Sequence, residues 1–144
     1  MMNLAIEEAK KSDKDIPVGA VIIKNGEIIA SCHNEKESTN DISGHAEIVA
    51  IRKAEEKLNN WRLDECELYV TLEPCPMCAW AIIQSRIKTL YFGSYDRLYG
   101  ALGSVIDLRK LANSGLKVYG GIMEDDCDKI LKEYFKKMRE KSND

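Results

Sequence analysis

Residues 73–78 read Glu-Pro-Cys-Pro-Met-Cys, and this stretch decides how the rest of the sequence is interpreted. It places Cys75 and Cys78 three residues apart, directly after a proline. The segment before it, residues 68–72, is apolar and typical of a strand, and the segment after it is typical of a helix. A Cys-x-x-Cys pair at such a junction indicates either half of a zinc site or a redox pair.

The composition of the chain is that of one globular domain. It has 144 residues, of which 44% are hydrophobic and 31% charged, so we expect residues 1–144 to form a single domain. No apolar run is long enough to span a bilayer and no signal peptide opens the sequence, which predicts a cytoplasmic protein without a membrane partner. Five cysteines cannot all pair within the chain, and in a reducing compartment a close pair indicates metal binding or catalysis.

The order of predicted elements indicates an α/β domain. A short amphipathic helix at residues 4–9 precedes two strands, 19–23 and 27–30, which the Asn25-Gly26 turn joins into a hairpin. The further elements are helices at 45–58, 79–83, 105–111 and 125–139 and strands at 68–72, 89–92 and 117–119. This order predicts a central mixed five-stranded sheet with helices on both faces, a three-layer α/β/α arrangement. In such sheets ligands bind beyond the carboxyl ends of the strands, where helices begin.

Four segments carry more detailed expectations. Residues 33–44 are predicted to be a polar loop, and residues 93–103 a glycine-rich loop. The helix at 79–83 has apolar residues on most sides and is expected to be buried. The apolar face of the last helix is expected to comprise Ile130, Leu131, Tyr134, Phe135 and Met138.

A second junction between a loop and a helix carries His45 and Glu47. A histidine at a helix start is by itself more often a cap or a surface residue. Together with Cys75 and Cys78, however, His45 completes a set of one imidazole and two thiolates, and a fourth, open position is typical of a catalytic zinc. Helix N-termini stabilise thiolates, which zinc requires. Glu47 is then the candidate group for moving protons between water and the substrate.

The pattern His-x-Glu followed by Pro-Cys-x-x-Cys is the signature of the zinc-dependent nucleobase deaminases. Within that superfamily the sequence resembles the bacterial tRNA-specific adenosine deaminases over nearly its whole length. The stretches that carry the resemblance are IPVGAVIIKNGEIIA (16–30), HAEIVAIRKA (45–54), WRLDECELYVTLEPCPMCAWAI (61–82) and GALGS (100–104). The resemblance implies a cytidine-deaminase-like fold, one Zn²⁺ per subunit and a homodimer. It also implies hydrolytic deamination of adenosine to inosine at the wobble position of a tRNA anticodon stem-loop, by zinc-activated water.

The same resemblance implies roles for single residues. His45, Cys75 and Cys78 would bind zinc, and Glu47 would be the catalytic proton shuttle. The substrate would contact Ile16, Pro17, Val18, Asn34, Ala46, Pro74 and Asp96. Asn34 would hydrogen-bond the base and Asp96 the nucleotide backbone, although from the residues alone Asn34 is nearly as well explained as a turn residue and Asp96 as a loop cap. Phosphate contacts are expected from Arg97, Arg109 and the lysines near the C-terminus.

Three other functions remain open at this point. The first is a deaminase of free guanine, cytosine or adenosine in salvage, which the acidic pI of about 5.5 favours and the long match to the tRNA enzymes disfavours. The second is a catalytically silent zinc domain, against which Glu47 argues. The third is a Cys-x-x-Cys redox protein, which leaves His45 unexplained. The sequence departs from the resembled pattern at Trp80, where those enzymes have glycine, and in a shortened segment at residues 111–116.

Overall fold

Five strands form one mixed sheet in the computed structural model, which describes residues 1–142. The strands are β1 (Gly19–Lys24), β2 (Glu27–His33), β3 (Cys66–Leu72), β4 (Thr89–Ser94) and β5 (Lys117–Tyr119). Across the sheet the order is β2-β1-β3-β4-β5. β1 runs antiparallel to β2 and β3, whereas β3, β4 and β5 run parallel to one another. The predicted mixed sheet of five strands is confirmed.

The hairpin between β1 and β2 forms at the predicted turn. Asn25 and Gly26 have φ values of 50° and 79°, the positive values that a tight hairpin turn requires. β2 extends beyond its predicted end at residue 30, because the ladder continues until His33 pairs with Gly19. The next residue, Asn34, donates its backbone N–H to the Val18 carbonyl at 3.0 Å. The ends of both strands thereby reach the same edge of the sheet.

Helices cover both faces of this sheet. They are α1 (Met2–Ala9), α2 (Lys36–Thr39), α3 (Ala46–Leu58), α4 (Pro76–Gln84), α5 (Leu108–Ala112) and α6 (Glu124–Ser142). α1 and α6 pack on one face, and α3 and α4 pack on the other. Among residues 1–142, no helix combines the length and the apolar character needed to cross a membrane.

Strand β1 illustrates how the sequence produces three layers. Side chains alternate between the two faces of a strand. Ala20 and Ile22 belong to the larger core under α3 and α4, whereas Val21 and Ile23 belong to the smaller core under α1 and α6. All four are buried, so β1 is an interior strand with two apolar faces. The predicted α/β/α layering is confirmed.

Helix α4 differs from its prediction in two respects. It begins at Pro76 rather than at residue 79, because proline suits the first position of a helix, where no N–H donor is needed. The expectation that this helix is buried on most sides is wrong, because Trp80 is 42% exposed. The motif at residues 73–78 therefore includes the first turn of the helix as well as the loop before it.

Three other elements are also placed differently. The predicted polar loop 33–44 contains the short helix α2. α5 begins at residue 108 rather than 105, because the Asp107 carboxylate caps it by accepting a hydrogen bond from Arg109 N. α6 is longer than predicted, and its predicted apolar face is only partly covered, since Phe135 and Met138 are exposed.

Candidate active site

The side chains of His45, Cys75 and Cys78 meet at the edge of the sheet where β3 and β4 end. His45 Nδ1 lies 3.4 Å from Cys78 Sγ and 3.7 Å from Cys75 Sγ. The three ligand atoms all lie within 4.8 Å of one another. His45 occupies the N-cap position of α3 and Cys75 that of α4, so two helix N-termini converge on one point.

These distances fit a tetrahedral zinc ion. Zinc–sulfur bonds of about 2.3 Å and zinc–nitrogen bonds of about 2.0–2.1 Å place a sulfur and a nitrogen ligand about 3.6 Å apart. Both sulfur–nitrogen distances in the structure lie close to that value. One imidazole and two thiolates are also the donor types that zinc prefers. His45, Cys75 and Cys78 can therefore hold the metal and leave its fourth position open to a water molecule.

The electrostatics of the cluster favour metal binding. Hydrogen bonds from Cys78 and His45, acting against burial, lower the pKa of Cys75 to about 4. The neighbouring Cys75 sulfur and burial raise the pKa of Cys78. One thiolate is therefore present at neutral pH, and the second forms when a cation binds and the proton leaves. The positive end of α4 stabilises that negative charge further.

Glu47 lies in the first turn of α3, two residues after His45, and is 4% exposed. Burial, together with the charge of Cys75, raises the pKa of Glu47 to about 7. A carboxyl group that is half ionised near neutral pH can both accept and donate a proton. Its side chain lines the same cavity as His45 and Cys75.

A cavity of about 260 Å³ opens in front of this cluster. The sequence-predicted residues that line it are Ile16, Val18, Asn34, His45, Ala46, Glu47, Cys75 and Asp96. Three predicted residues are absent from its lining, namely Pro17, Pro74 and Cys78, and all three are buried. Residues far apart in the sequence thus form one concave site of the kind that binds a small ring.

Two of the predicted substrate contacts already make hydrogen bonds within the protein. Asn34 Oδ1 accepts from Lys36 N at 3.2 Å, and Asn34 Nδ2 donates to the Ile16 carbonyl at 3.2 Å. Asp96 Oδ1 accepts from the backbone N–H groups of Leu98 and Tyr99, both at 3.0 Å. Both residues therefore shape loops. Because an amide oxygen and an amide nitrogen can each form two hydrogen bonds, Asn34 also has capacity for a base.

Sequence reasoning missed four residues that line the cavity: Lys36, Leu72, Glu73 and Tyr99. Glu73 belongs to the stretch that carries Cys75 and Cys78, and nothing in its sequence position indicated a role of its own. Leu72 ends a predicted strand, so its place at the edge of the sheet could have been read from the sequence. The loop of residues 95–104, which we call the substrate loop, brings Tyr99 to the cavity.

A second, wider cavity of about 760 Å³ adjoins the first. It shares Ile16, Leu72, Asp96 and Tyr99 with the first cavity, so the two form one continuous depression. Side chains of the substrate loop and of α6 line the rest of it, including Tyr95, Arg97, Leu98, Lys132 and Phe135. This groove combines aromatic rings with charges of both signs, since Glu124 and Asp128 line it as well as Arg97 and Lys132.

With the site described, comparison with known proteins identifies its class. The sequence pattern of the cytidine and deoxycytidylate deaminase zinc-binding region matches residues 1–94. Within those residues lie His45, Cys75 and Cys78, whose geometry fits zinc. The fold and the ligand set therefore define a zinc-dependent deaminase, and zinc is its cofactor.

Individual relatives narrow the class further. The tRNA-specific adenosine deaminase of Bacillus subtilis (strain 168) is 41% identical over 144 residues, which cover 97% of this chain and 89% of the relative. A solved structure from studies of A-to-I editing by tRNA:A34 deaminases at the wobble position of transfer RNA superposes with a TM-score of 0.87 at 40% identity. It covers 90% of this chain and 97% of the other. The chain belongs to the zinc-dependent deaminase family, and within it to the group of tRNA-specific adenosine deaminases.

The same fold also occurs in an enzyme named for another substrate. A guanine deaminase from Nitrosomonas europaea superposes with a TM-score of 0.81 at 24% identity, covering 92% of this chain and 81% of the other. At that identity the likeness extends to the fold alone. The architecture therefore does not select the substrate, which depends on the residues around the cavity.

Proposed function

We propose that this protein hydrolyses adenosine to inosine at the wobble position of a tRNA anticodon, with release of ammonia. The observation that carries the proposal is the zinc-ligand cluster with a buried Glu47 beside it, in a chain about 40% identical to tRNA-specific adenosine deaminases. The same relatives favour a tRNA substrate over a free base or nucleoside in salvage. A tRNA substrate also fits the cytoplasmic location expected from the sequence, and residues 1–144 would act as one deaminase domain.

In this mechanism the chain holds the metal and moves the protons. His45, Cys75 and Cys78 would hold zinc, which when bound lowers the pKa of a water molecule so that it can attack carbon near neutral pH. Glu47 would take a proton from that water and give it to the ring nitrogen beside the reacting carbon of the base. Its raised pKa, about 7, suits both the acceptance and the donation. A second transfer through Glu47 would protonate the leaving amine.

The walls of the inner cavity would orient the base. Ile16 and Val18 supply apolar contact from the segment before β1, and Asn34 faces them from the end of β2. The Asn34 amide has one donor and one acceptor position beyond its two bonds to the protein. A flipped-out base is usually recognised in this way, by hydrogen bonds to its edge and packing on its faces. Bases of an anticodon loop are already unpaired, so little energy is needed to present one.

The outer groove would hold the nucleotides that flank the adenosine. It offers exposed aromatic rings at Tyr95, Tyr99 and Phe135, on which unpaired bases can stack. Arg97 and Lys132 line the same groove and can neutralise phosphates. The carboxylates of Asp96, Glu124 and Asp128 also line the groove, so these two cations are single contact points rather than a broad positive patch.

Arg109, which the sequence suggested as a phosphate contact, is engaged elsewhere. Its Nε donates to Asp107 Oδ1 at 3.0 Å and its terminal nitrogen donates to Asp107 Oδ2 at 2.8 Å. This two-bond pair neutralises the guanidinium and fixes it at the start of α5. The structure therefore supports Arg97 and Lys132 over Arg109 as the cations that meet the RNA.

We also propose that the enzyme is a homodimer. α4 and α5 contact each other and expose apolar side chains on their outer surfaces: Met77, Trp80 and Leu111, with Val105 and Ile106 just before α5. An exposed apolar patch of this kind indicates a protein interface. Sedimentation of the purified protein should give the mass of two chains. Trp80→Glu should yield one, whereas Ile28→Glu on the opposite edge of the sheet should remain a dimer.

The decisive experiment offers the zinc-loaded protein several substrates side by side. These are an anticodon stem-loop with adenosine at the wobble position, the same stem-loop with that adenosine moved to a neighbouring position, and free adenosine, adenine, guanine, cytosine and cytidine. Ammonia release and nucleoside analysis after digestion report the product. We expect inosine only from the first stem-loop. Turnover of a free base or nucleoside alone would refute the tRNA function and leave the zinc chemistry intact.

A further inference from the structure

Glu73 precedes Cys75 by two residues, yet its carboxylate accepts its hydrogen bonds from the substrate loop rather than from the metal ligands. It is only 2% exposed. Its Oε1 accepts hydrogen bonds from Asp96 N at 3.1 Å and from the Ser104 hydroxyl. Its Oε2 accepts from Leu102 N at 3.2 Å and Ser104 N at 3.1 Å. Every one of these donors belongs to residues 95–104, so the carboxylate gathers the loop around itself.

We propose that Glu73 is a positioning residue for the reaction: its buried carboxylate fixes the substrate loop so that Asp96 and Tyr99 meet the nucleotide at a set distance from the metal. The inference rests on the proposed function, since it assigns the loop to substrate binding. It concerns a residue that does not touch the reacting atoms.

Packing alone does not explain the shape of the first half of the loop. Tyr95 packs edge-on against the buried Phe92, with ring centroids 5.0 Å apart, but Leu98 and Tyr99 are exposed. The polar contacts that hold residues 96–99 are the bond from Asp96 N to Glu73 and the two bonds that Asp96 Oδ1 accepts from Leu98 N and Tyr99 N. Without Glu73 the backbone at Asp96 would lose its hydrogen bond to the segment that follows β3.

The fit between the carboxylate and the loop leaves no spare space. A Cβ atom added to Gly100 would lie 2.5 Å from the Glu73 carboxyl group, a distance that real structures do not allow. The loop backbone therefore rests directly on the carboxylate, and only glycine permits this approach. Among residues 1–142, Glu73 forms no ion pair, so its partners are loop donors rather than a cation.

The contacts between Glu73 and the substrate loop, which we call the clamp, lie beside two backbone hydrogen bonds that connect the loop to the segment of the metal ligands. Ala101 N donates to the Pro74 carbonyl at 2.9 Å, and Glu73 N donates to the Ser94 carbonyl at 2.8 Å. The segment that carries Cys75 and the loop that carries Asp96 are thus joined on both sides of Glu73. Displacement of one segment would displace the other, and this coupling fixes the distance between the reacting atom and the nucleotide backbone.

Glu73→Gln tests the clamp because its effect can be assigned to one bond. With its amide oxygen turned toward Leu102 N and Ser104 N, the new side chain keeps both of those bonds. Its NH₂ group can donate to the Ser104 hydroxyl, but the same NH₂ group then faces the Asp96 N–H. Because both groups are donors, no hydrogen bond forms between them. We therefore expect the Asp96 amide to be released and the amides of Leu102 and Ser104 to stay protected.

The first measurement is residue-resolved amide hydrogen exchange by NMR on the zinc-loaded protein without substrate. Exchange at Asp96 should become about tenfold faster in Glu73→Gln, as expected for the loss of one hydrogen bond to a charged group. Glu67→Gln is the matched control, because Glu67 lies near the start of β3, the strand that Glu73 follows, and accepts from the Tyr91 hydroxyl. It should leave exchange at residues 95–104 unchanged.

The second measurement compares kinetics on the anticodon stem-loop. Glu73→Gln should raise KM about tenfold while kcat and zinc content stay near the wild-type values, because the metal cluster and Glu47 are untouched. Unchanged exchange at Asp96 would overturn the proposal. A parallel fall in kcat, zinc content and melting temperature would also overturn it, since that pattern indicates a merely structural residue. If Glu73→Gln does not fold, Glu73→Asp decides, because its shorter side chain keeps the charge but draws the carboxylate away from the loop donors. Wild-type exchange at Asp96 and wild-type KM in that variant would likewise overturn the proposal.

These outcomes are separable from the fate of the proposed function. The exchange experiment needs no substrate, so it tests the clamp even if the wild-type protein fails to deaminate the stem-loop. In that event the tRNA function is refuted, and the KM comparison moves to whichever base or nucleoside the wild-type protein does deaminate.

Discussion

His45 Nδ1 and Cys78 Sγ lie 3.4 Å apart although 33 residues separate them in the sequence. One belongs to the start of α3 and the other to the first turn of α4, two helices on the same face of the sheet. The contact exists because the strands of the sheet place the starts of both helices at the same edge, where β3 and β4 end. This proximity creates the metal site and places Glu47 beside it. It can be tested by removing one of the zinc ligands.

Removal of a zinc ligand should remove the metal without unfolding the protein. We expect one zinc per chain in the wild-type protein and less than a tenth of that in Cys78→Ala, because two remaining ligands bind zinc far more weakly than three. Elemental analysis after gel filtration measures the ratio. Cys66→Ala is the control, since Cys66 is equally buried but lies outside the cluster. Full zinc content in Cys78→Ala would contradict the assignment.

Glu47→Gln should separate catalysis from metal binding. The amide has nearly the same shape as the carboxyl group but cannot carry a proton, so we expect kcat to fall by about 10²–10⁴ with zinc content unchanged. The assay is inosine formation under single-turnover conditions. Glu55→Gln, on an outer turn of the same helix, should retain full activity. Near wild-type turnover in Glu47→Gln would refute its role as the proton shuttle.

Cations in the outer groove should control affinity for RNA and its dependence on salt. Lys132→Ala and Arg97→Ala should each weaken stem-loop binding and lower the slope of log K against log salt by about 0.7–1. Fluorescence anisotropy at several salt concentrations measures both. Lys24→Ala, at the hairpin end of the sheet away from the cavity, should leave the slope unchanged. Slopes that match the wild-type value in both groove variants would exclude phosphate contacts there.

Asp15 should matter to the wall of the pocket that holds Asn34. Its carboxylate is 2% exposed and accepts from Glu37 N at 2.6 Å, from Ser38 N at 3.2 Å and from the Ser38 hydroxyl at 2.8 Å. These bonds cap α2, which connects Asn34 to the segment before His45. Asp15→Asn places an NH₂ group against an N–H donor, so kcat/KM should fall about tenfold.

The exposed neighbour supplies the control for that experiment. Asp13→Asn lies in the same turn and should behave as the wild type. Zinc content must be measured in both variants, because loss of metal would also reduce kcat/KM. An Asp15→Asn variant with normal zinc and normal kcat/KM would show that the cap does not position the pocket.

The hydrogen bonds of Glu8 predict how the free energy of unfolding depends on pH. Its carboxylate accepts from His33 Nδ1 at 2.7 Å, from Ser31 Oγ at 3.1 Å and from Lys11 Nζ at 3.2 Å. Burial acts to raise the pKa of Glu8, but these hydrogen bonds outweigh it, and the pKa lies below its usual 4.5. The folded state therefore favours the ionised form. This stabilisation is complete above pH 4.5 and is lost as the pH falls through the lowered pKa.

The measurement is urea unfolding of Glu8→Gln and wild type over a pH series. At pH 6 the variant should be less stable by about 2 kcal/mol, the order of a hydrogen bond to a charged group. The difference should shrink as the pH falls below 4.5. Glu7→Gln removes only the exposed pair with Lys10 and should show little effect at any pH. A difference that stays constant from pH 6 to pH 3 would contradict this account.

The success of the zinc prediction has a local cause. The stretch around His45 and the stretch around Cys75 both contain a loop-to-helix transition and ligand side chains. Both features can be recognised from a few consecutive residues. The turn at Asn25-Gly26 was predictable for the same reason, because two adjacent residues determine its backbone conformation. Structural features that depend on adjacent residues, or on the spacing of apolar residues, can be predicted directly from the sequence.

The errors have the opposite cause. Trp80 was assigned to the interior because α4 is apolar almost throughout, but periodicity cannot tell a core face from an interface. Glu73 and Asp15 were overlooked because their partners lie 22 to 31 residues away in the sequence. A buried carboxylate has no signature until the chain that covers it is known.

The sequence by itself determined the strand and helix order and the zinc-ligand set of His45, Cys75 and Cys78, and it marked Glu47 as the candidate proton carrier, since each depends on residue type and short spacing. Only the tertiary structure decided which loops face the metal and what holds them there. That division has a physical reason. Hydrogen bonds from loop backbone to Glu73 and Asp15 form only after the sheet has brought distant segments together, and any residue with an N–H group can supply them.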